Sequence, residues 1–341
     1  EAVNAAAAQL SNQFVPIVVG GVLLLALLQL PLAWRLSTRI QRDQVAKQRL
    51  LEAAVEASEA ENWDLAAELY TSLNATRAAS PSSRTRSSAA ATLASCSARV
   101  PMRRIRSGET DLVLAGGSDA ALPYGIVKAW TAMRMLASAA DDQEARNSCR
   151  PFAADRGGIV LGEGAAILVL EDMEHARRRG ARIYAELAGS GSSCDHGPII
   201  APLATGQVRA LRQALHDAGA NVDDVGYVNA HGTATPDGDP VEVDALRQCF
   251  GDHASTLAVS STKSMHGHLL GASGAVEACI TIMAVLKGAI PPTAHESPLD
   301  PACTGVDHVL GMGRESPGLR LALSNSFAFG GSNAVLAFRA V

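Results

Sequence analysis

Three short segments of this chain hold residue types that could do chemistry. Asn229-Ala230-His231-Gly232-Thr233-Ala234-Thr235-Pro236-Asp237-Gly238-Asp239 sets one imidazole beside two hydroxyls and a glycine. Ser261-Thr262-Lys263-Ser264-Met265-His266-Gly267-His268 puts an ammonium five residues before a further imidazole, ahead of the glycine-rich Leu269-Leu270-Gly271-Ala272-Ser273-Gly274. Asn325-Ser326-Phe327-Ala328-Phe329-Gly330-Gly331-Ser332-Asn333 carries an aromatic pair on a flexible turn that could close over an apolar ligand. Taken singly, a histidine is more often packed or solvated than catalytic, and a glycine pair usually makes a turn. A metal site of His231, His266 and His268 is the rival reading, but no acidic or cysteine partner stands at a standard ligand spacing. Gly189-Ser190-Gly191, after Ile183 to Leu187, lacks the third glycine of a dinucleotide fingerprint and reads as a turn, with Cys194 in that glycine's place.

These segments need a scaffold, and the text after Arg104 supplies one by alternating short β-rich runs with helical periods, the α/β pattern. Asp111 to Ala115, Ala166 to Leu170, Val225 to Ala230, Leu257 to Ser260, Leu321 to Ser324 and Ala334 to Phe338 read as strands. Val208, Leu211, Leu215 and Ala218 repeat at helical spacing, as do Val243, Leu246 and Phe250, with Asp239 as the N-cap of the second set and Pro240 at its first position. Ala272 to Leu286 is a third helix, apolar enough to be buried. Three strands run directly into the three candidate loops, and ligands of open α/β sheets bind outside such carboxyl ends.

The 341 residues are 48% hydrophobic and 18% charged, a composition that excludes a mostly disordered chain. A net charge of -5 gives no electrostatic reason to expect nucleic acid as a partner. Six cysteines without a C-x-x-C pair or regular spacing read as reduced thiols of a cytosolic protein. Ahead of this globular text, no charged residue occurs from Ala2 to Trp34, and Phe14 to Trp34 is almost wholly apolar. As a helix that stretch reaches ~31 Å, enough for a bilayer core. Arg35, Arg39, Arg42, Lys47 and Arg49 follow it, which argues against a signal peptide and places the rest of the chain in the cytoplasm; a buried core helix is the alternative. Residues 36–72, without Pro or Gly, read as a helix leaving the membrane, and Asn74 to Ala91 as a Ser/Ala/Arg-rich linker.

HGTATPDGDPVE, STKSMHGHLLGASGAVEA and NSFAFGGSNAVL resemble the three signature segments of the elongating 3-oxoacyl acyl-carrier-protein synthases, the type II condensing enzymes. RSGETDLVLAGGSDAAL, RPFAADRGGIVLGEGAAILVLEDMEHARRRGARIYAEL and YVNAHGT resemble the same family, so the likeness covers residues 104 to 341. It implies the thiolase-like fold, two similar α/β halves in α-β-α-β-α layers, usually as a homodimer. It also implies a decarboxylating Claisen condensation of malonyl on acyl carrier protein with an acyl thioester, in fatty acid or polyketide biosynthesis. His231 and His268 match the histidine pair that donates hydrogen bonds to the malonyl thioester oxygen. Lys263 matches the lysine that orders the site, and Glu277 the acidic partner that offsets its charge. Thr233 and Thr235 match the threonines on the phosphopantetheine arm, and Phe329 the gating aromatic of the acyl pocket. No metal or other cofactor is implied beyond the phosphopantetheine of acyl carrier protein. The partners implied are that carrier and a second synthase subunit, identical or different.

The family nucleophile is a cysteine in a T-A-C-x-S/T-G segment. Its candidate here is Cys96 in Ala94-Ser95-Cys96-Ser97-Ala98-Arg99-Val100-Pro101, which lacks the following glycine and has Pro101 interrupting the helix after it. Gly157 and Ile159 stand where the family more often has Asp or Asn and Phe. The family's first strands and helices are not visible upstream, so the N-terminal half reads as truncated and preceded by a transmembrane helix. Phe14 to Glu61 is similar in composition to the membrane-exit helix of bacterial sensor kinases, yet all nine histidines lie at or beyond His175, which leaves no phosphoacceptor after that helix. The resulting division is 1–35 with the span, 36–91 helical and linker, 92–180 a remnant N-terminal half and 181–341 the C-terminal half, as a gene fusion or a mis-assembled reading frame would produce. A chain-length-factor-like partner without a working thiol, or a non-functional membrane-linked module, is the alternative.

Overall fold

The computed structural model describes residues 87–89, 99–120, 122–139, 145, 147–195, 197 and 200–341. All belong to the second of the two units into which the chain divides, 85–341 after 1–84. The apolar span at 14–34, the helix at 36–72 and Cys96 lie outside the described residues. The elements run β1 (Ser87–Ala89), α1 (Arg99–Arg106), β2 (Leu112–Asp119), α2 (Tyr124–Ala132), β3 (Gly164–Glu171), α3 (Met173–Arg178) and β4 (Glu186–Cys194). They continue α4 (Ala204–Ala218), β5 (Tyr227–Asn229), α5 (Gly238–Phe250), β6 (Ala258–Ser260), α6 (Lys263–His266), α7 (Ser273–Lys287), β7 (Ala289–Ile290), β8 (Asp307–His308), β9 (Arg314–Glu315), β10 (Leu321–Ala328) and β11 (Ser332–Arg339).

Two sheets organise them. The smaller has the order β1-β2-β3, with β1 parallel and β3 antiparallel to β2, so Ser87–Ala89, at the end of the Ser/Ala/Arg-rich stretch, is strand. The larger has the order β4-β11-β10-β5-β6-β8, in which β10, β5, β6 and β8 are mutually parallel and β11 runs against both neighbours. Because β10, β5 and β6 are adjacent and parallel, the three candidate loops leave the sheet at one edge, which is what brings residues a hundred positions apart together. Helix α7 packs against β2 and β3 of one sheet and β10 and β11 of the other. Leu270–Lys287 is long and apolar enough to cross a membrane, but half of it is buried inside the protein, as a core helix requires.

Three readings from the sequence are corrected. Gly189-Ser190-Gly191 is not a turn but the middle of β4, paired with β11. The glycines are there because α4 lies directly on the strand: a Cβ at Gly191 would stand 1.9 Å from the Ala210 carbonyl oxygen, and one at Gly189 2.5 Å from the Ala218 nitrogen. Gly191→Ala therefore forces helix and strand apart and is expected to cost about 3 kcal/mol, read as a lower urea midpoint with an unchanged slope. Asp239 is not an N-cap. The helix begins at Gly238, whose N–H donates to Thr235 Oγ1 at 3.1 Å, while the fully buried Asp239 accepts from the Phe152 N–H at 2.7 Å. Nor does Pro101 break its helix: α1 runs through it without interruption from Arg99 to Arg106.

Candidate active site

The three loops converge on a cavity of about 650 Å³ whose lining includes His231, His268, Thr233, Thr235, Phe329 and Trp130. His231 follows β5 directly, and its ring lies 5.3 Å from that of His268, centroid to centroid, nearly perpendicular at 85°. His268 is held from both sides. Its N–H donates to the Val160 carbonyl at 2.7 Å and its carbonyl accepts from Gly162 N–H at 3.0 Å.

Hydrogen-bond partners fix the tautomers of both rings. The Leu270 amide, which can only donate, points at His268 Nδ1 at 3.3 Å. Ser273 Oγ accepts from the Leu269 N–H at 2.9 Å and donates to the same Nδ1 at 2.9 Å. The proton of His268 is therefore on Nε2. At His231 the Lys263 ammonium donates to Nδ1 at 3.4 Å, with the same consequence. Neither Nε2 has a hydrogen-bond partner among the described residues. Burial, and then the positive charge of Lys263, hold both imidazoles well below the ordinary histidine pKa, so both are neutral Nε2–H donors at pH 7.

Lys263 is fully buried and pairs with Glu277 Oε1 from α7, itself 1% exposed. Burial raises the Glu277 carboxyl to about 7 even though the lysine pulls it down. A second carboxylate shapes the first loop: Glu242 of α5 accepts the N–H groups of His231 at 2.9 Å and Gly232 at 2.8 Å, and Asn325 Nδ2 at 3.0 Å. Thr233 and Thr235 place their hydroxyls 3.0 Å apart. Phe329, 43% exposed, stacks on Trp130 of α2 with centroids 5.7 Å apart, and Gly330 and Gly331 behind it take φ of 76° and 70°, a turn that side chains with a Cβ resist.

The sequence-predicted residues His231, His268, Lys263, Glu277, Thr233, Thr235 and Phe329 are thus brought to one cavity or its immediate support, and Cys96 lies outside the described residues. His266 is turned onto its own loop, bonding Thr262 Oγ1 at 3.1 Å and the Gly267 carbonyl at 2.7 Å. Among the described residues no three His, Cys, Asp or Glu side chains gather as a metal ion requires. None of the described cysteines lines the cavity, and burial pushes the nearest to the lysine, Cys149, up to about 12. Glu242, Asn325, Ser273 and Trp130 were missed by sequence reading. Glu242 stands among the acids Asp239 and Asp244 at the start of its helix, so nothing local singles it out.

The models for the beta-ketoacyl synthase N-terminal and C-terminal domains match residues 77–176 and 184–297. This chain belongs to the beta-ketoacyl synthase family. It is 49% identical over 238 residues to the nodulation protein E of a Rhizobium species, covering 70% of this chain and 57% of that one. It is 44% identical over 239 residues to the 3-oxoacyl-(acyl-carrier-protein) synthase 2 of Synechocystis sp., covering 70% and 56%. A solved type II polyketide ketosynthase, in complex with its acyl-carrier protein and bound to the hexaketide, superposes with a TM-score of 0.68 at 35% identity, over 71% of this chain and 59% of that one. The fold is thiolase-like, as in these ketosynthases. The chain spans just over half the length of the curated relatives it matches. The N-terminal domain match begins at residue 77, inside the stretch that reads as linker.

Proposed function

We propose that this beta-ketoacyl synthase chain condenses malonyl on acyl carrier protein with an acyl thioester. The observation that carries the reading is the pair of neutral imidazoles, 5.3 Å apart, each with an Nε2–H that has no partner among the described residues at the cavity. Two such donors suit a thioester oxygen that becomes an enolate oxygen as the malonyl carboxylate leaves as carbon dioxide. The enolate carbon then attacks the carbonyl of an acyl group on a cysteine. The new carbon–carbon bond forms, the thiolate leaves, and 3-oxoacyl carrier protein is released. Lys263 fixes His231 Nδ1 as an acceptor, Glu277 offsets the lysine's buried charge, Thr233 and Thr235 take the phosphopantetheine arm, and Phe329 gates the acyl end. No metal or further cofactor takes part.

The nucleophile in this reading is Cys96. In support, the amino end of α1 is tied to the strand beside the cavity: Arg99 Nη1 donates to Ser192 Oγ near the end of β4, and Asp195, three residues on, lines the cavity. At the helix's other end Arg106 Nη2 donates to the Ala188 carbonyl at 2.6 Å, so α1 runs with its positive dipole end toward the site, an arrangement that favours a thiolate. A carrier protein and a second synthase subunit are the partners, and the apolar run at 14–34 holds the domain at the cytoplasmic face of a membrane. Incubation with medium-chain acyl carrier protein is expected to give an enzyme heavier by one acyl group, in a thioester that peptide mapping places on Cys96 and Cys96→Ala abolishes. A folded wild-type protein that takes up no acyl group would sink the reading.

A further inference from the structure

Between the two threonines stands Ala234, at φ 62° in the left-handed region that residues with a Cβ avoid. Phe152, at φ 68° and fully buried, is a second such residue close by. Strained residues of this kind persist only where their surroundings over-determine them. Here the surroundings centre on one side chain. Arg156, 4% exposed, donates from Nε to the Thr235 carbonyl at 2.9 Å and from Nη2 to the Pro236 carbonyl at 2.8 Å. Its Nη1 donates to the Ala153 carbonyl at 2.8 Å and to Asp300 Oδ2 at 2.6 Å. Asp239, 3.8 Å from Nε, takes the Phe152 N–H, and Gly158 N–H donates to the Ala234 carbonyl at 3.0 Å.

The guanidinium thus ties the turn to Ala153 and Asp300, while Thr233 and Thr235 line the cavity. A planar fork with five N–H donors can reach four acceptors at once, and a lysine ammonium in the same place cannot. We infer that Arg156 is a positioning residue that holds the strained Thr233–Thr235 turn in the shape that receives a pantetheine arm, without touching the arm itself. This rests on the reading of the two threonines as the arm's partners.

The test is the dissociation constant of the full chain for an unreactive S-alkyl pantetheine, by calorimetry, with thermal unfolding of each variant alongside. Arg156→Lys is expected to weaken binding about 10-fold, the equilibrium equivalent of one residue's left-handed strain. Ala234→Gly alone should bind within about 3-fold of wild type, and in the double variant glycine, which takes positive φ unaided, should recover most of the loss. A side chain that merely stabilised the fold would show no such rescue. Asp300→Asn, which loosens only Nη1, should weaken binding less than Arg156→Lys, and it serves if the lysine variant does not fold. Unchanged binding in the folded arginine and asparagine variants, or a loss that Ala234→Gly leaves untouched, overturns the inference. A wild-type protein that binds no S-alkyl pantetheine overturns the reading of the cavity itself, and this inference with it.

Discussion

His268→Ala is expected to lower the rate of malonyl decarboxylation roughly 10²- to 10³-fold with little change in overall stability, because it removes one preorganised donor to a developing oxyanion. His231→Ala should do the same. The double variant should fall short of the product of the two, since both donors serve one oxygen and the survivor has less to hold once its partner is gone. Ser273→Ala is expected to cause a smaller loss, because it frees His268 Nδ1 from the hydroxyl that helps fix the tautomer. The pH profile carries a further mark. Burial and Lys263 lower both imidazole pKa values, so the neutral donors survive acidification past the ordinary value of 6.5, and the acid limb due to them should fall below that pH. A limb at 6.5 or above would mean that the rings are solvated and that the tautomer argument is wrong.

The second large effect is on stability. Glu277→Leu leaves the Lys263 ammonium fully buried without its ion-pair partner, and the expected cost is roughly 3–5 kcal/mol, read as a lower urea midpoint. Removing both members, in Lys263→Met with Glu277→Leu, should recover much of that, because a buried ion pair adds little over apolar side chains of similar volume. The recovered double variant should still be impaired in decarboxylation, because His231 Nδ1 has lost its donor. That separation of stability from activity distinguishes a lysine kept for the site from one kept for the fold. A double variant as unstable as Glu277→Leu alone would contradict it.

Much of this site was legible before any coordinates. His231, Lys263 and Phe329 each follow a strand whose period and β-rich composition are plain, and the parallel-sheet rule then sends their loops to one edge. What remained hidden depends on contacts distant in sequence. Gly189 and Gly191 look like turn residues until α4 is laid on β4, and nothing local to the strand announces that helix. Asp239 looks like a cap because it precedes Pro240, but the Phe152 N–H, 87 residues away, claims its carboxylate. Ser273 and Trp130 are ordinary residues of their helices, and only the meeting of α7 with His268 and of α2 with Phe329 gives them a part. Arg156 is the extreme case, since its acceptors lie on segments up to 144 residues apart in sequence from it.

The most direct test of the condensing reading is formation of the product itself. The full chain would be incubated with acyl carrier protein loaded with an acyl group and with malonyl carrier protein, and the carrier's intact mass followed beside Cys96→Ala and His268→Ala. The expected result is a 3-oxoacyl carrier protein longer by two carbons, absent with Cys96→Ala and suppressed with His268→Ala. A folded wild-type protein that releases carbon dioxide no faster than either variant, and lengthens no acyl chain, would contradict the account.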